Sequence, residues 1–250
     1  VMAGCRQTSR YDFLTADGRI LLRFDGSDAI GPGGWPVANM IHQPSVEAAL
    51  RARLAAEPSA RLATGTTLLD ATDHGDHVQA RLVSASGTHS VRARYLVGAD
   101  GARSPVRTQA GIGFEDLGFE EPWLVVDLLV HDPSRLPAVN LQICDPARPT
   151  TCALMGEGRH RFEFMIRPGE DPQALAAESS VAALLAPWNL DGAASIERTA
   201  VYTFRARIAE RWRQGRILLA GDAAHQTPPF AGQGMCSGLR DAANLAWKLA

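Results

Sequence analysis

The residues best placed to do chemistry in this chain are a carboxylate, several glycines and a helix start crowded into residues 216–250, RILLAGDAAHQTPPFAGQGMCSGLRDAANLAWKLA. Ile217, Leu218, Leu219 and Ala220 form an unbroken apolar run, the pattern of a parallel strand buried on both faces. Gly221 lets the backbone turn closely, and Asp222 follows at the strand's C-terminal end, where open α/β sheets bind their ligands. A carboxylate there accepts hydrogen bonds from hydroxyl donors. Pro228 and Pro229 stiffen the next turn, while Gly232 and Gly234 leave bare backbone that a large planar ligand can approach. Met235, Leu239, Ala242, Ala243, Ala246 and Leu249 then recur at helical spacing. The free amides near Gln233–Cys236 therefore point back toward the loop, and their partial positive charge suits an anionic group.

A second constellation lies about a hundred residues upstream, in YLVGADGARSPVR, residues 95–107. Residues 95–99 read as a short buried strand that runs into an Asp100-Gly101 turn. Ser104 is a good helix N-cap, Pro105 suits the first helical position, and Gly111 can end the helix. Arg107 then sits one turn into that helix.

GDAAHxxxPxxGxGM, followed by Asp241, and the strand-Asp-Gly-x-x-Ser-x-x-Arg segment together resemble the fingerprints of single-component flavin aromatic hydroxylases, the group that includes p-hydroxybenzoate hydroxylase. HQPSVEAALRARL, CDPARPTT, FEFMIRPGED and YTFRARIAERWRQGR are similar to the 3-(3-hydroxyphenyl)propionate hydroxylase branch, so the likeness covers nearly the whole chain. The resemblance implies FAD as cofactor, NADH or NADPH as co-substrate, O2, and a small phenolic substrate. It places Gly221, Asp222, Pro229, Gly232, Gln233, Gly234, Met235 and Cys236 at the flavin, with Asp222 on the ribityl chain. Asp100, Gly101 and Arg107 fall near the pyrophosphate and ribose, and Gln43 contacts FAD ahead of the helix it opens. Cys236 stands where the broader family commonly has Asn. The activity implied is hydroxylation of a phenolic ring such as a 3-hydroxyphenylpropionate-like acid. Flavin hydroxylation of a polyketide or antibiotic, or a flavin-binding remnant without turnover, stays open.

Plainer readings stand beside several of these residues. Asp100 also makes sense as a structural turn residue, and Arg107 as a solvated or salt-bridged surface arginine. His225 reads better as a packed, hydrogen-bonded residue than as an acid–base catalyst. Trp123, Arg159, Arg161 and Arg167 fit a substrate pocket or ordinary strands of alternating exposure equally well. No catalytic residue and no metal site is assigned.

The expected architecture is α/β: an incomplete Rossmann-like FAD/NAD(P)-binding domain interleaved with a β-rich substrate domain. A complete member of the family begins with a strand, a GxGxxG turn and a helix. The chain opens instead with VMAGCRQTSRYDF and stops inside a helix, the pattern expected of an internal fragment. Hydrophobic residues make up 46% of the 250, enough for a sizeable core. The 25 basic and 27 acidic residues nearly cancel, so nucleic acid is not an expected partner. No apolar run approaches a membrane span; even WLVVDLLV contains Asp127. Cys5, Cys144, Cys152 and Cys236 form no CxxC pair or metal spacing, which predicts free thiols in a reducing cytoplasm. A homo-oligomer is left open.

Turn signals place strands near 10–14, 20–24, 66–72, 77–84, 88–94, 122–131, 139–144, 151–155, 160–167 and 196–204, with helices over 44–56 and 173–186. Residues 1–38 are assigned to strands at the domain junction, 39–113 to the FAD domain, 114–210 to the substrate domain, and 211–250 to the return into the FAD domain.

Overall fold

A computed structural model describes residues 4–229 and 232–250. Residues up to Arg61 group with Glu121–Thr203 as one compact unit, and Leu62–Glu120 with Phe204–Ala250 as another.

The first unit is built on a sheet. Strands β1 (Arg10–Leu14) and β2 (Ile20–Asp25) form an antiparallel hairpin, and β1 pairs in parallel with β8 (Asn140–Ile143). The sheet continues antiparallel through β9 (Thr150–Met155), β10 (Arg159–Met165) and the second half of β7 (Phe114–Val130). Strict alternation in β8, β9 and β10 turns Cys152, Phe162 and Phe164 into a core, which Leu124, Val126 and Leu128 of β7, a strand buried on both faces from Trp123 to Val126, complete. Val181 of helix α4 (Glu178–Leu185) is fully buried against it, and Trp188 meets the Phe162 ring edge-on at 4.7 Å. Helix α1 (Gln43–Ala55) belongs to the same unit.

Of the polar side chains buried in this unit, His160 is the most completely sealed. His160 on β10 is fully buried; its Nε2 lies 3.2 Å from the Pro137 carbonyl, and Nδ1 has no partner among the described residues. Burial, assisted by the Arg6 cation, lowers its pKa from 6.5 to about 4. The folded state thus holds the imidazole neutral, whereas the unfolded chain takes up a proton once pH falls through 6.5. Stability from this residue is complete above that pH and is lost between 6.5 and 4, by about 3 kcal/mol at most. Urea titrations at stepped pH are expected to show this loss in the wild type and a shallower one in His160→Phe; equal slopes would contradict it.

The second unit holds a meander of β3 (Thr67–Asp73), β4 (Val78–Ser84) and β5 (Gly87–Ala93), and a small sheet. That sheet has the order β12 (Arg213–Gln214), β13 (Ile217–Leu219), β6 (Leu96–Gly98), with β13 and β6 parallel. Helix α2 (Pro105–Gln109) follows β6, and β14 (His225–Gln226) pairs with the end of β11 (Ala194–Ala209). Helix α5 (Gln233–Leu249) ends the chain. Val78, Val106, Ile112, Ala209, Ile217, Leu219, Ala223 and Ala224 form this unit's core.

Most expected elements appear with small shifts, although β7 starts at Phe114 rather than near 122 and β11 runs on to Ala209 rather than 204; three further differences follow. Helix 173–186 is broken into α3 (Pro172–Leu175), capped by Asp171, then α4 and a 3-10 turn over Ala186–Trp188; Ala177 between α3 and α4 is extended. Strand 95–99, expected to be buried, lies at the edge of its sheet. Among the described residues only β13 flanks it, and Val97 is 37% exposed. The division of the chain also differs from the anticipated one. Helix α1 groups with the β-rich unit rather than with residues 62–113, and the crossings fall at 61/62, 120/121 and 203/204 rather than at 38/39, 113/114 and 210/211. The last two lie inside long strands, β7 and β11, so turn signals do not mark them. Among the described residues no helix is long and apolar enough to cross a membrane.

Candidate functional site

Parallel pairing of β6 with β13 aligns Leu219 with Gly98, so the two strands end side by side. Their C-terminal turns, Asp100-Gly101 and Gly221-Asp222, are therefore neighbours. The join is tight: Ala220 N–H donates to the Gly98 carbonyl at 3.0 Å, and a Cβ on Gly98 would stand 2.8 Å from the Val106 side chain. Glycine at 98 lets β6 lie directly on α2.

Asp100 organises its own turn. One carboxylate oxygen accepts the Ser104 hydroxyl, the other accepts the Val106 amide at 3.0 Å, and Ser104 Oγ caps α2 by accepting the Arg107 amide at 2.9 Å. Gly101 has φ +82°, a conformation that favours glycine.

Arg107 is not a surface arginine. It is 9% exposed, its guanidinium lies 3.7 Å from the Phe114 ring centre, and Nη1 donates at 3.3 Å to the carbonyls of both Ala102 and Ala223. One buried side chain thus ties the Asp100 turn to the Asp222 turn. Burial lowers its pKa, opposed by the nearby Asp100 carboxylate.

Gly221 adopts φ +59° and opens a 3-10 turn over Gly221–Ala223, which leaves Asp222 exposed and Ala223 and Ala224 fully buried. The Asp222 carboxylate takes part in no hydrogen bond or ion pair among the described residues. His225 does have partners: its Nε2 lies 2.7 Å from Asp241 Oδ2, and the Trp212 ring stacks on it at 5.2 Å. The packed reading of His225 describes this geometry. Beyond it, the Thr227 hydroxyl is buried without a partner among the described residues, and Gly234 lies beside it, where a Cβ would stand 3.6 Å from Thr227 Oγ1. Pro229 is half-buried, Gly232 caps α5 with φ +61°, and Gln233, Met235 and half-buried Cys236 occupy the first turn. The stripe containing Met235 and Leu239 is exposed, at 41% and 48%, because Gly238 and Asp241 are the residues that face the Gly221 turn.

These features fit FAD. An unengaged carboxylate at the end of two parallel strands, glycines in left-handed conformations, an orphaned hydroxyl and the first amides of a 17-residue helix provide acceptors, room and donors for a polyhydroxylated, anionic, planar cofactor. Eleven of the twelve anticipated site residues belong to the second unit. Gln43, the twelfth, is in the first; it is exposed and opens α1, where His42 Nδ1 lies 2.9 Å from Ser45 Oγ and the Ser45 hydroxyl donates at 2.9 Å to Glu157. Thr227 and Trp212 were not singled out in the sequence, and Asp241 was placed in the fingerprint without a role; the structure puts all three at the turn. For Asp241 the signal was its place one helical turn after Gly238, on the face that meets the strand.

In the first unit the suggested pocket arginines are already engaged. Arg159 binds Glu197 through two 2.7 Å bonds, Arg161 binds Asp127 at 2.7 and 3.2 Å, and Arg167 binds Glu170 at 2.9 and 2.6 Å. Trp123 is 2% exposed.

This fold and cradle define a flavin-binding α/β protein, and comparison with known proteins agrees. Residues 21–250 match the model of the FAD binding domain family, and the chain belongs to that family. It is 40% identical over 253 residues to a probable NADH-specific resorcinol 4-hydroxylase of Rhodococcus jostii (strain RHA1), covering 100% of this chain and 47% of that protein. It is 42% identical over 219 residues to 3-(3-hydroxy-phenyl)propionate/3-hydroxycinnamic acid hydroxylase 2 of Burkholderia vietnamiensis (strain G4 / LMG 22486), covering 87% and 40%. The chain thus spans under half the length of these curated relatives. Among solved structures, aklavinone-11 hydroxylase in a ternary complex with FAD and aklavinone superposes with TM-score 0.81 at 31% identity, over 98% of this chain and 50% of that one. The p-nitrophenol 4-monooxygenase of Pseudomonas putida DLL-E4 has the same fold, with TM-score 0.82 at 21% identity over 97% and 62%.

Proposed function

We propose that the full-length protein is an FAD-dependent monooxygenase that hydroxylates a phenolic ring ortho to an existing hydroxyl, at the expense of NADH or NADPH and O2, in the cytoplasm. The observation that carries this reading is the pair of Asp-Gly and Gly-Asp turns held together by Arg107 at the ends of two parallel strands. The balance is one oxygen atom into the ring and one into water, with the two electrons supplied by the nicotinamide. Bound flavin supplies the redox chemistry, carrying those electrons to oxygen. This chain's residues bind and orient it. Asp222 accepts hydrogen bonds from ribityl hydroxyls, and the amides of Gln233–Cys236 face the electron-rich edge of the ring system. The Asp100 turn and Arg107 shape the phosphate and ribose end. Gln43, at the head of α1, is assigned to FAD on the resemblance of its own segment alone. Cys236 contributes its amide and packing, not a reactive thiol.

The substrate class follows from the two relatives' names, which share a ring bearing a hydroxyl meta to a second substituent. A polyketide substrate is the second reading, favoured by the 31% identity to aklavinone-11 hydroxylase. Full-length protein should be assayed with resorcinol, 3-(3-hydroxyphenyl)propionate and aklavinone, with NADH and NADPH in parallel, and hydroxylated product quantified against nicotinamide oxidised. A catechol-type product from either simple phenol, near one per nicotinamide, is the expected result. Product from aklavinone alone would move the assignment to the second reading, and no product from any would refute the monooxygenase.

A further inference from the structure

The Asp222 carboxylate has no partner of its own among the described residues, so where it points is decided by the backbone that carries it. That backbone is a left-handed glycine followed by one 3-10 turn, closed by the Ala224 amide on the Gly221 carbonyl at 2.8 Å. Its outer end is fixed where the Ala209 amide donates to Ala224 O at 2.7 Å and Ile208 pairs with His225. Its inner end is fixed by a side chain from α5. Asp241 Oδ2 accepts the Gly221 amide at 2.9 Å and lies 2.7 Å from His225 Nε2, so a single oxygen holds the residue before Asp222 and the residue three after it.

The surroundings make this clamp stiff. Asp241 and His225 side chains are only 17% and 12% exposed, and the Trp212 ring covers the imidazole. Water therefore competes weakly for these bonds. Gly238, three residues before Asp241, brings α5 against the turn so closely that a Cβ there would stand 3.4 Å from Gly221 Cα. The helix is thereby seated at the distance a short aspartate side chain can span.

We infer that Asp241 is a positioning residue for the cofactor: it aims Asp222 by clamping both sides of the Gly221–His225 turn. The inference rests on the flavin reading of Asp222, and the test separates the two. In full-length holoprotein the FAD dissociation constant is measured by flavin fluorescence for wild type, Asp222→Ala, Asp241→Asn, Asp241→Ala and the double alanine variant, with Tm alongside. Asp241→Ala is expected to weaken FAD binding about 10- to 100-fold, the scale of a lost hydrogen bond to a charged group. Asp241→Asn, which keeps an acceptor oxygen, should weaken it less. If Asp241 acts through Asp222, removing it after Asp222 is gone should cost less than about 3-fold more, because coupled residues do not add.

Losses that multiply in the double variant would overturn the inference and mark Asp241 as general scaffold, as would unchanged affinity in Asp241→Ala. Should Asp241→Ala fail to fold, Asp241→Asn alone and in the Asp222→Ala background carries the same comparison. Unchanged affinity in Asp222→Ala would instead remove the flavin reading itself, and the inference with it.

Discussion

Asp222→Ala in the full-length protein is expected to purify nearly free of flavin while folding normally. The side chain is exposed and bonds to nothing among the described residues, so its removal should change stability by no more than about 0.5 kcal/mol. Its proposed work is done only on the cofactor, as a carboxylate accepting hydroxyl donors. Two such charge-assisted bonds amount to about 3 kcal/mol or more, a loss of roughly 100-fold or greater in FAD affinity. Asp222→Asn keeps an acceptor but not the charge and should fall between. The flavin-to-protein ratio after gel filtration and a calorimetric Kd check the prediction. An alanine variant that stays yellow at the wild-type ratio and affinity would show that the cofactor lies elsewhere.

The sequence announces this site because its chemistry demands residues with few substitutes. A carboxylate between a strand and a glycine loop, Gly221 and Gly232 in left-handed conformations, and a serine and proline opening α2 all leave local marks. Strand positions were legible for the same reason: in β10 the burial alternates at every residue from Arg159 to Met165. What remained hidden depends on contacts distant in sequence. Arg107 reads as an ordinary helical arginine until Ala223, 116 residues away, is folded beside it. Asp241 belongs to the fingerprint in the sequence, but its role is not legible until Gly221 is seated on it. The apolar stripe through Met235 and Leu239 misleads in the opposite sense, since periodicity reports which residues share a face but not which face the neighbouring strand meets. Two of the three crossings between compact units fall inside β7 and β11, and nothing in a continuous strand records a change of unit.

Arg107 offers the sharpest separation of stability from site architecture. Its guanidinium is buried, desolvation holds its pKa down, and its partners are two backbone carbonyls and an aromatic face rather than a carboxylate. Arg107→Ala leaves the Ala223 carbonyl without this donor, empties the space over Phe114, and is expected to cost about 2–4 kcal/mol. Ala102 O keeps one donor, Gln226 Nε2 at 3.2 Å, so the Asp222 side of the tie should suffer more. Arg107→Met fills most of the volume without burying a charge, and replacements of that kind are often close to neutral for stability. If arginine were retained only for stability, Arg107→Met would behave as wild type throughout. The tie predicts otherwise: Arg107→Met should recover much of the Tm lost in Arg107→Ala yet bind FAD at least about 10-fold more weakly than wild type, the cost of roughly one hydrogen bond to a charged group. Arg107→Lys should not restore it, because an ammonium cannot lie flat on Phe114 while meeting both carbonyls. Parallel Tm and FAD titrations of the three variants decide the matter. Full FAD affinity in Arg107→Met would show that the two turns hold their places without a bridging cation.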